Sequence, residues 1–494
     1  MSIIQVTDLT FGYDGSYDLV FEHVNLQLDT DWRLGFTGRN GRGKTTFLRL
    51  LMGELAYSGS IQASVEFGYF PFPVPDPDQD TLAVMGLACP AAQDWEMIRE
   101  ASLLDVDTEA LYRPFSTLSQ GERTKVLLAA MFLEPGRFLL IDEPTNHLDA
   151  AARARVGAYL RTKKGFILVS HDRTLLDESV DHILAINRSD IQVQQGNFSS
   201  WWENKQRQDE YELAENARLK REIGRLNQAA RQASDWSDRV EKTKNGTRIS
   251  GVKADKGYVS HKSAKMMQRA KNQQTRMERA AEDRSRLLKN VESADRLKLS
   301  PLPYPKDLLL EAEDLRLYYG DAPVCGPLGF RLRRGQRLAV TGRNGSGKST
   351  LLKLICGQEV RHTGRLDLGS NLRISWVAQD TAGLRGSLTD YARTWGIDES
   401  RFKTILRKLD FSRTQFDKDM AEFSAGQRKK VLLARSLCQS AHLYVWDEPL
   451  NYIDVLSRMQ LEELLLDCQP TMLFVEHDAA FVQKIATGTI DLDP

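Results

Sequence analysis

The sequence predicts an α/β protein in which one domain occurs twice, with a helical hairpin between the copies. Three observations carry this prediction. First, LGFTGRNGRGKTTFLRLLMGE (34 to 54) returns almost unchanged as LAVTGRNGSGKSTLLKLICGQ (338 to 358). Second, the pairs Gly38/Gly342, Ser119/Ser424, Asp142/Asp447 and His171/His477 are separated by 304 to 306 residues, so the spacing barely drifts across four distant motifs. Such constancy marks a tandem duplication. Third, the segment between the copies changes character and holds no proline from residue 201 until Pro301, where SPLPYP forms a turn-rich boundary. The expected organisation is a first domain over 1–200, a linker over 201–300 and a second domain over 301–494.

Within each copy, short continuous apolar runs alternate with amphipathic stretches, as in RLGFTG before a glycine-rich loop and in FLLIDEP or LYVWDEP further on. Continuous apolar runs are the mark of strands buried on both faces, and their alternation with helices indicates a parallel sheet covered on both sides. The linker instead shows heptad spacing. Leu219, Ile223, Leu226, Ala230, Ala233 and Val240 form one apolar seam, and Met266, Ala270, Met277, Ala280, Leu287, Val291 and Ala294 form a second, interrupted by Gln273 and Arg284. Between the seams, Asn245-Gly246, Gly251 and Gly257 break the period. An antiparallel helical hairpin with its tip at about 241–262 follows, each arm of about 37 residues reaching about 55 Å at about 1.5 Å per residue.

Composition narrows the function classes. The chain has 494 residues with 67 Lys+Arg against 67 Asp+Glu, and 41% hydrophobic residues. No apolar run approaches the roughly 18 residues needed to span a bilayer. The start, MSIIQVTDLTFGYDG, lacks the basic and apolar regions of a secretion signal. Five scattered cysteines without a Cys-x-x-Cys pair suggest a reducing, cytoplasmic setting and no metal cluster. The zero net charge conceals a local imbalance: residues 203–298 hold 24 basic and 15 acidic residues, and the excess is eight positive charges over 239–271.

The repeated motifs carry phosphate chemistry. Gly38 to Thr45 and Gly342 to Ser349 both match G-x-x-x-x-G-K-[ST]. Gly38, Gly41 and Gly43, like Gly342, Gly345 and Gly347, let the backbone curl so that its N–H groups face phosphate oxygens, aided by Asn40 and Asn344 and by the following helix dipole. Lys44 and Lys348 then neutralise phosphates, the Thr45 and Ser349 hydroxyls suit Mg²⁺, and Thr46 and Thr350 complete each turn. Asp142-Glu143 and Asp447-Glu448 end apolar runs at the strand end where α/β sheets bind ligands. The aspartates are placed to hold Mg²⁺ and the glutamates to polarise an attacking water. His171 and His477 also end apolar runs, which favours a γ-phosphate contact.

Leu118-Ser119-Gln120-Gly121-Glu122 and Phe423-Ser424-Ala425-Gly426-Gln427 each open a helix, a second kind of anion-binding N-terminus. With the P-loop, the Asp-Glu pair and the histidine, this set resembles the ATP-binding cassette superfamily, and its duplication resembles the ABC-F group. The resemblance implies two ATP-binding-cassette P-loop NTPase domains that face head to tail around two ATP molecules with Mg²⁺. Lys44, Thr45, Asp142, Glu143 and His171 would share one ATP with Ser424 and Gly426. Lys348, Ser349, Asp447, Glu448 and His477 would share the other with Ser119 and Gly121. Tyr13 and Tyr319 resemble the aromatic that stacks on adenine, with core packing as the alternative. Gln379 fits the family's Q-loop metal contact, whereas Phe72 lies near that place in the first copy, and a phenyl ring cannot ligate a metal.

The linker resembles that of ABC-F proteins in the antibiotic-resistance branch, particularly the Lsa-like members, through GYVSHKSAKMMQRAKNQQTRMERA (257 to 280). This implies a cytoplasmic monomer that binds the bacterial 70S ribosome at the E site and extends the linker toward P-site tRNA and 23S rRNA near the peptidyl-transferase centre. There it would dislodge lincosamides, streptogramin A compounds and pleuromutilins. Lys242, Lys244, Arg248, Lys253, Lys256, Tyr258, His261, Lys262 and Lys265 are the expected contacts, since cations interleaved with rings suit RNA. A housekeeping translation factor, the ATPase subunit of a membrane transporter and a DNA-associated ATPase stay as alternatives.

Overall fold

The computed structural model describes residues 2–13, 19–145, 148–187, 190–246, 297–320, 322–343, 345–409, 411–412 and 415–493, together with Gln268, Asn272, Thr275 and Arg276. It divides into two compact units, Met1–Trp201 with Asp295–Pro494, and Trp202–Ala294. The first unit holds both α/β copies.

Each copy is built from a three-stranded antiparallel sheet and a mainly parallel sheet. In the first copy the antiparallel order is Phe21–Asp29, Ile3–Phe11, Ser58–Gln62. The parallel sheet runs Glu66–Phe70, Arg137–Asp142, Phe166–Val169, Arg33–Thr37, His182–Asn187, with Asp190–Gln195 as an antiparallel edge. The second copy repeats this as Ala322–Arg333, Leu308–Tyr319, His362–Leu368, and as Ile374–Val377, Leu443–Asp447, Met472–Val475, Arg337–Thr341, Gly488–Asp491. The apolar runs read from the sequence are thus central parallel strands, and Phe166–Val169 and Leu443–Asp447 are buried at every position. Crossover helices cover the faces, as a parallel sheet requires.

Packing fixes the two P-loops against these sheets. Phe47, on the helix Lys44–Leu51, meets Phe36 at 5.5 Å and Phe21 at 5.9 Å between ring centroids, both edge to face, and all three rings are fully buried. Such pairs add about 0.5–1.5 kcal/mol beyond their area. Gly43 begins this helix with φ 96°, and a β-carbon there would lie 2.6 Å from Val20 Cγ1. No other residue type combines that turn with that approach.

The first linker arm is a helix, Phe198–Gly246, about 70 Å long at about 1.5 Å per residue. Its first turn is held in the first copy by buried Phe198 and Trp201 and by Ser199, whose N–H donates to Asp177 Oδ1 at 2.7 Å. Exposed pairs such as Arg207–Glu203 at 3.6 Å stud its surface. The described helix includes residues 241–246, and the rest of the expected tip, 247–262, lies outside the described residues. Of the return arm, Gln268, Asn272, Thr275 and Arg276 are helical. Arg248, Lys253, Lys256, Tyr258, His261, Lys262 and Lys265 lie outside the described residues, as do the side chains of Lys242 and Lys244. No helix among the described residues is long and apolar enough to cross a membrane.

Candidate functional site: two composite phosphate clefts

Both P-loops take the left-handed turns that their glycines allow, with φ 80° at Gly41 and 86° at Gly345. Lys44 Nζ donates to the carbonyls of Gly38 at 2.7 Å and Arg39 at 3.3 Å, and Lys348 Nζ to those of Gly342 and Arg343, both at 2.7 Å. Both ammonium groups are buried, which holds their pKa values below the usual lysine range. Tyr13 is half exposed, and its hydroxyl shares a 2.7 Å hydrogen bond with Thr46 Oγ1. The strand Leu308–Tyr319 ends at Tyr319, but the side chain of Tyr319, like the whole of Asn344, lies outside the described residues.

Parallel-strand register places the carboxylates at equivalent points. Asp142 pairs with Val169 and Asp447 with Val475, so each Asp stands at a strand end beside its P-loop. The following glutamates, Glu143 (φ 51°) and Glu448 (φ 48°), both adopt the left-handed conformation, which is uncommon for a non-glycine residue. Their N–H groups donate to Val169 O at 2.9 Å and Val475 O at 3.0 Å. Each carboxyl is thereby turned toward a histidine: His171 Nε2 lies 3.3 Å from Glu143 Oε1, and His477 Nε2 lies 3.4 Å from Glu448 Oε1. The first approach lacks hydrogen-bond alignment, since Glu143 Oε1 is buried without a hydrogen-bond partner among the described residues.

The copies diverge around these groups. Phe70 pairs with Ile141 and Val377 with Trp446, so Phe72 occupies the position of Gln379. In the second copy Ser349 Oγ donates to Gln379 Oε1 at 3.2 Å; Asn451 Nδ2 also donates to Glu448 Oε2 at 2.7 Å, and its first-copy counterpart Asn146, the same residue type, lies outside the described residues. In the first copy Thr45 Oγ1 donates to Asp142 Oδ2 at 2.9 Å, and the same oxygen accepts from the Tyr69 hydroxyl at 3.0 Å. Tyr69 corresponds to Trp376 and was not singled out from the sequence; its signal was a hydroxyl-bearing ring on a strand whose twin carries an indole.

These neighbours set opposite electrostatics. Burial, and then the charge of Asp142, raise the Glu143 pKa. Burial also acts on Glu448, but hydrogen bonding and charge from His477, with help from Gln379 and Lys429, outweigh it and hold that carboxyl down at about 2. Burial first, and then Lys44, Arg458 and Lys430, push His171 well below the ordinary range, so its imidazole is neutral at pH 7.

Oxygen donors converge where a hard cation would sit. Thr45 with Asp142, and Ser349 with Gln379 and Asp447, supply hydroxyl, carboxylate and amide oxygens, which fits Mg²⁺. Asp447 Oδ1 is buried without a hydrogen-bond partner among the described residues, an arrangement that a nearby cation or its water would satisfy.

The opposing walls come from the other copy. Ser119 caps the helix Gln120–Met131 in a capping box with Glu122, and Ser424 caps Ala425–Cys438 with Gln427. The Glu/Gln alternation in the motif has a physical reason, since either side chain accepts the serine N–H. One cleft of about 980 Å³ brings Ser119, Gly121 and Asp149 of the first copy against Lys348, Ser349, Thr350, Gln379, Glu448 and His477 of the second. On the other side, Asn40 and Gly41 face Ser424 and Gly426 across about 420 Å³, while Glu143 and His171 line a separate space of about 170 Å³. Asn40 and Tyr452 border both spaces, and Asn40 Nδ2 donates to Tyr452 O at 2.8 Å. A β-carbon on Gly426 would lie 2.8 Å from Tyr452 Cβ, so only glycine fits beneath that residue.

Two P-loops, each closed by a signature serine from the opposite domain, define a paired nucleotide-binding cassette. The sequence pattern of the ABC transporter family matches residues 21–146 and 325–451, and the chain belongs to that family of ATPases. Its relatives with the same tandem plan are ABC-F proteins. ATP-binding protein Uup of Caulobacter vibrioides is 30% identical over 97% of this chain and 76% of its own length. Energy-dependent translational throttle protein EttA of Escherichia coli is 27% identical over 96% of this chain and 89% of its own. Ribosome protection protein VmlR of Bacillus subtilis is 27% identical over 98% and 86%. Among solved structures, an archaeal ribosome recycling factor in complex with a ribosomal stalk protein superposes with a TM-score of 0.62 at 18% identity, covering 98% of this chain and 87% of that one. An RNase-L Inhibitor structure gives 0.59 at 18% identity, covering 97% and 86%. These likenesses show the fold.

Proposed function

We propose that this ATPase is a cytoplasmic, ribosome-binding protection factor whose linker enters from the E site toward the peptidyl-transferase centre. There it would relieve lincosamide, streptogramin A and pleuromutilin inhibition. Similarity to a ribosome protection protein over 98% of the chain is the observation that carries this reading. The two composite clefts support an ATP-closed state in which each phosphate loop faces the other copy's signature serine. Lys44 and Lys348 would hold the phosphates, and the Thr45, Asp142, Ser349, Gln379 and Asp447 oxygens would hold Mg²⁺, which would neutralise phosphate charge when bound. Glu143 and Glu448 orient the attacking water and accept its proton, with His171 and His477 facing the γ-phosphate. Hydrolysis then lets the cassettes separate and the protein leave. The basic excess of the linker supplies attraction to RNA.

Glu143→Gln with Glu448→Gln should trap the protein on ribosomes in the presence of ATP, as read by co-sedimentation. Unchanged ATP turnover with no ribosome accumulation would overturn the mechanism. Comparable similarity to a translational throttle protein favours a second reading, a housekeeping factor that acts without drug relief. Drug susceptibility of a cell lacking the protein, with and without complementation, separates the two: protection restored by complementation supports the first, and none supports the second.

A further inference from the structure

The contact between the cassettes breaks the two-fold symmetry of the duplicated motifs at one buried ion pair. Glu462 lies on the second copy's helix Val455–Cys468 and is fully buried. It accepts a two-pronged contact from Arg173 of the first copy: Nη1 donates to Oε2 at 3.2 Å and Nη2 donates to Oε1. Lys484 of its own copy donates to Oε2 at 3.0 Å. A buried carboxylate needs such partners, and the planar guanidinium fork is the one that also fixes orientation.

Arg173 follows His171 and Asp172 directly, at the start of the helix Arg173–Ser179 capped by Asp172. Four residues before Glu462, on the same helix face, Arg458 lines the space that also holds Glu143 and His171. One helix of the second copy therefore holds the histidine-bearing loop of the first. The mirror contact does not exist. Asp149 and Asp454 cap equivalent helices, which makes Gly157 the counterpart of Glu462, and His171 and His477 make Ala479 the counterpart of Arg173. Neither counterpart has a side chain that can form the pair. The neighbouring pairs Arg153–Asp172 and Arg458–Asp478 occur in both copies, at 3.4 and 3.1 Å, so they do not distinguish the two sites as the Arg173–Glu462 pair does.

We propose that Arg173 is a positioning residue for the first ATP site, where its pair with Glu462 latches the His171 loop to the second cassette. The ATP held by Lys44 is then released more slowly than the ATP held by Lys348. The proposal rests on assigning one ATP to each of these lysines.

The test uses full-length protein carrying Glu143→Gln and Glu448→Gln, loaded with radiolabelled ATP and Mg²⁺ and chased with unlabelled ATP. In a Lys348→Ala background only the first site is read, and Arg173→Met should speed release by about tenfold, since truncating a buried charge pair acts mainly on dissociation. In a Lys44→Ala background the same change should alter release less than about twofold, whereas a purely structural role would affect both backgrounds alike. Glu462→Gln should reproduce the site-selective effect, and Arg173→Lys should fall between. If Arg173→Met does not fold, Arg173→Lys carries the test, and a wild-type release rate from the first site overturns the latch. Equal acceleration in both backgrounds also overturns it. If neither lysine variant halves the ATP bound when Arg173 is intact, the site assignment and the latch fail together; if the halving holds and Arg173→Met changes nothing, only the latch fails.

Discussion

The two ATP sites of this chain carry the same lysine, Asp-Glu and histidine set on equivalent strands, yet their surroundings make them unlike. At the site built on Lys348, Gln379 offers an amide oxygen to Ser349, the Glu448 carboxyl is held low, and one cleft brings the P-loop against the opposite signature serine. At the site built on Lys44, a phenyl ring stands in the place of Gln379, and a tyrosine hydroxyl takes up one oxygen of Asp142. The Glu143 carboxyl is raised by burial and by the charge of Asp142. The lesson is that identical motif residues do not make identical sites. A carboxylate's readiness to accept a proton depends on the donors and charges around it, and around Glu448 these include Gln379 and Lys429, whose counterparts Phe72 and Thr124 carry neither an amide nor a charge.

Because Gln379 gives the second site an amide oxygen beside Ser349 that Phe72 cannot supply to the first, Glu448→Gln should lower steady-state ATP hydrolysis by roughly 10²- to 10⁴-fold, while Glu143→Gln alone should cost less than about tenfold. Equal losses in a phosphate-release assay would break the comparison. A smaller effect is expected at the metal contact. Gln379→Phe should raise the Mg²⁺ concentration for half-maximal activity by about 10-fold or more, the range typical of lost supporting ligands, and Phe72→Gln should shift it modestly downward. A Mg²⁺ titration showing no change in either variant would remove Gln379 from the metal's surroundings. The smallest effect belongs to Tyr69→Phe. Its hydroxyl shares Asp142 with Thr45, so its loss should cost about 0.5–1.5 kcal/mol in denaturant unfolding and change turnover little. A Tyr69→Phe protein as impaired as Glu448→Gln would show that the hydroxyl takes part in the chemistry.

Much of this was legible in the sequence, for identifiable reasons. The P-loops, the Asp-Glu pairs, the histidines and the capping serines all sit at strand or helix ends. Local backbone geometry there demands specific residue types at fixed spacing, and duplication shows each demand twice. The position of Phe72 opposite Gln379 could also be read, because strands paired in register keep their count. Tyr69, Tyr452 and the Arg173–Glu462 pair could not. Tyr69 reaches Asp142 across strands, 73 residues apart in sequence, and Arg173 meets Glu462 across 289. Nothing in the local pattern around any of them distinguishes a partner at that distance from solvent.

The sequence by itself determined that the chain is a duplicated ATP-binding cassette with a basic helical linker, since glycine turns, apolar strand runs and heptad seams are each dictated within a few residues of backbone. Only the tertiary structure decided how unequal the two halves became. Proton affinity is set by which side chains pack around each carboxyl under burial and the tie between cassettes by which meet across the interface, and burial turns a distant single substitution, such as Gly157 against Glu462, into a difference in charge and contact at one site alone.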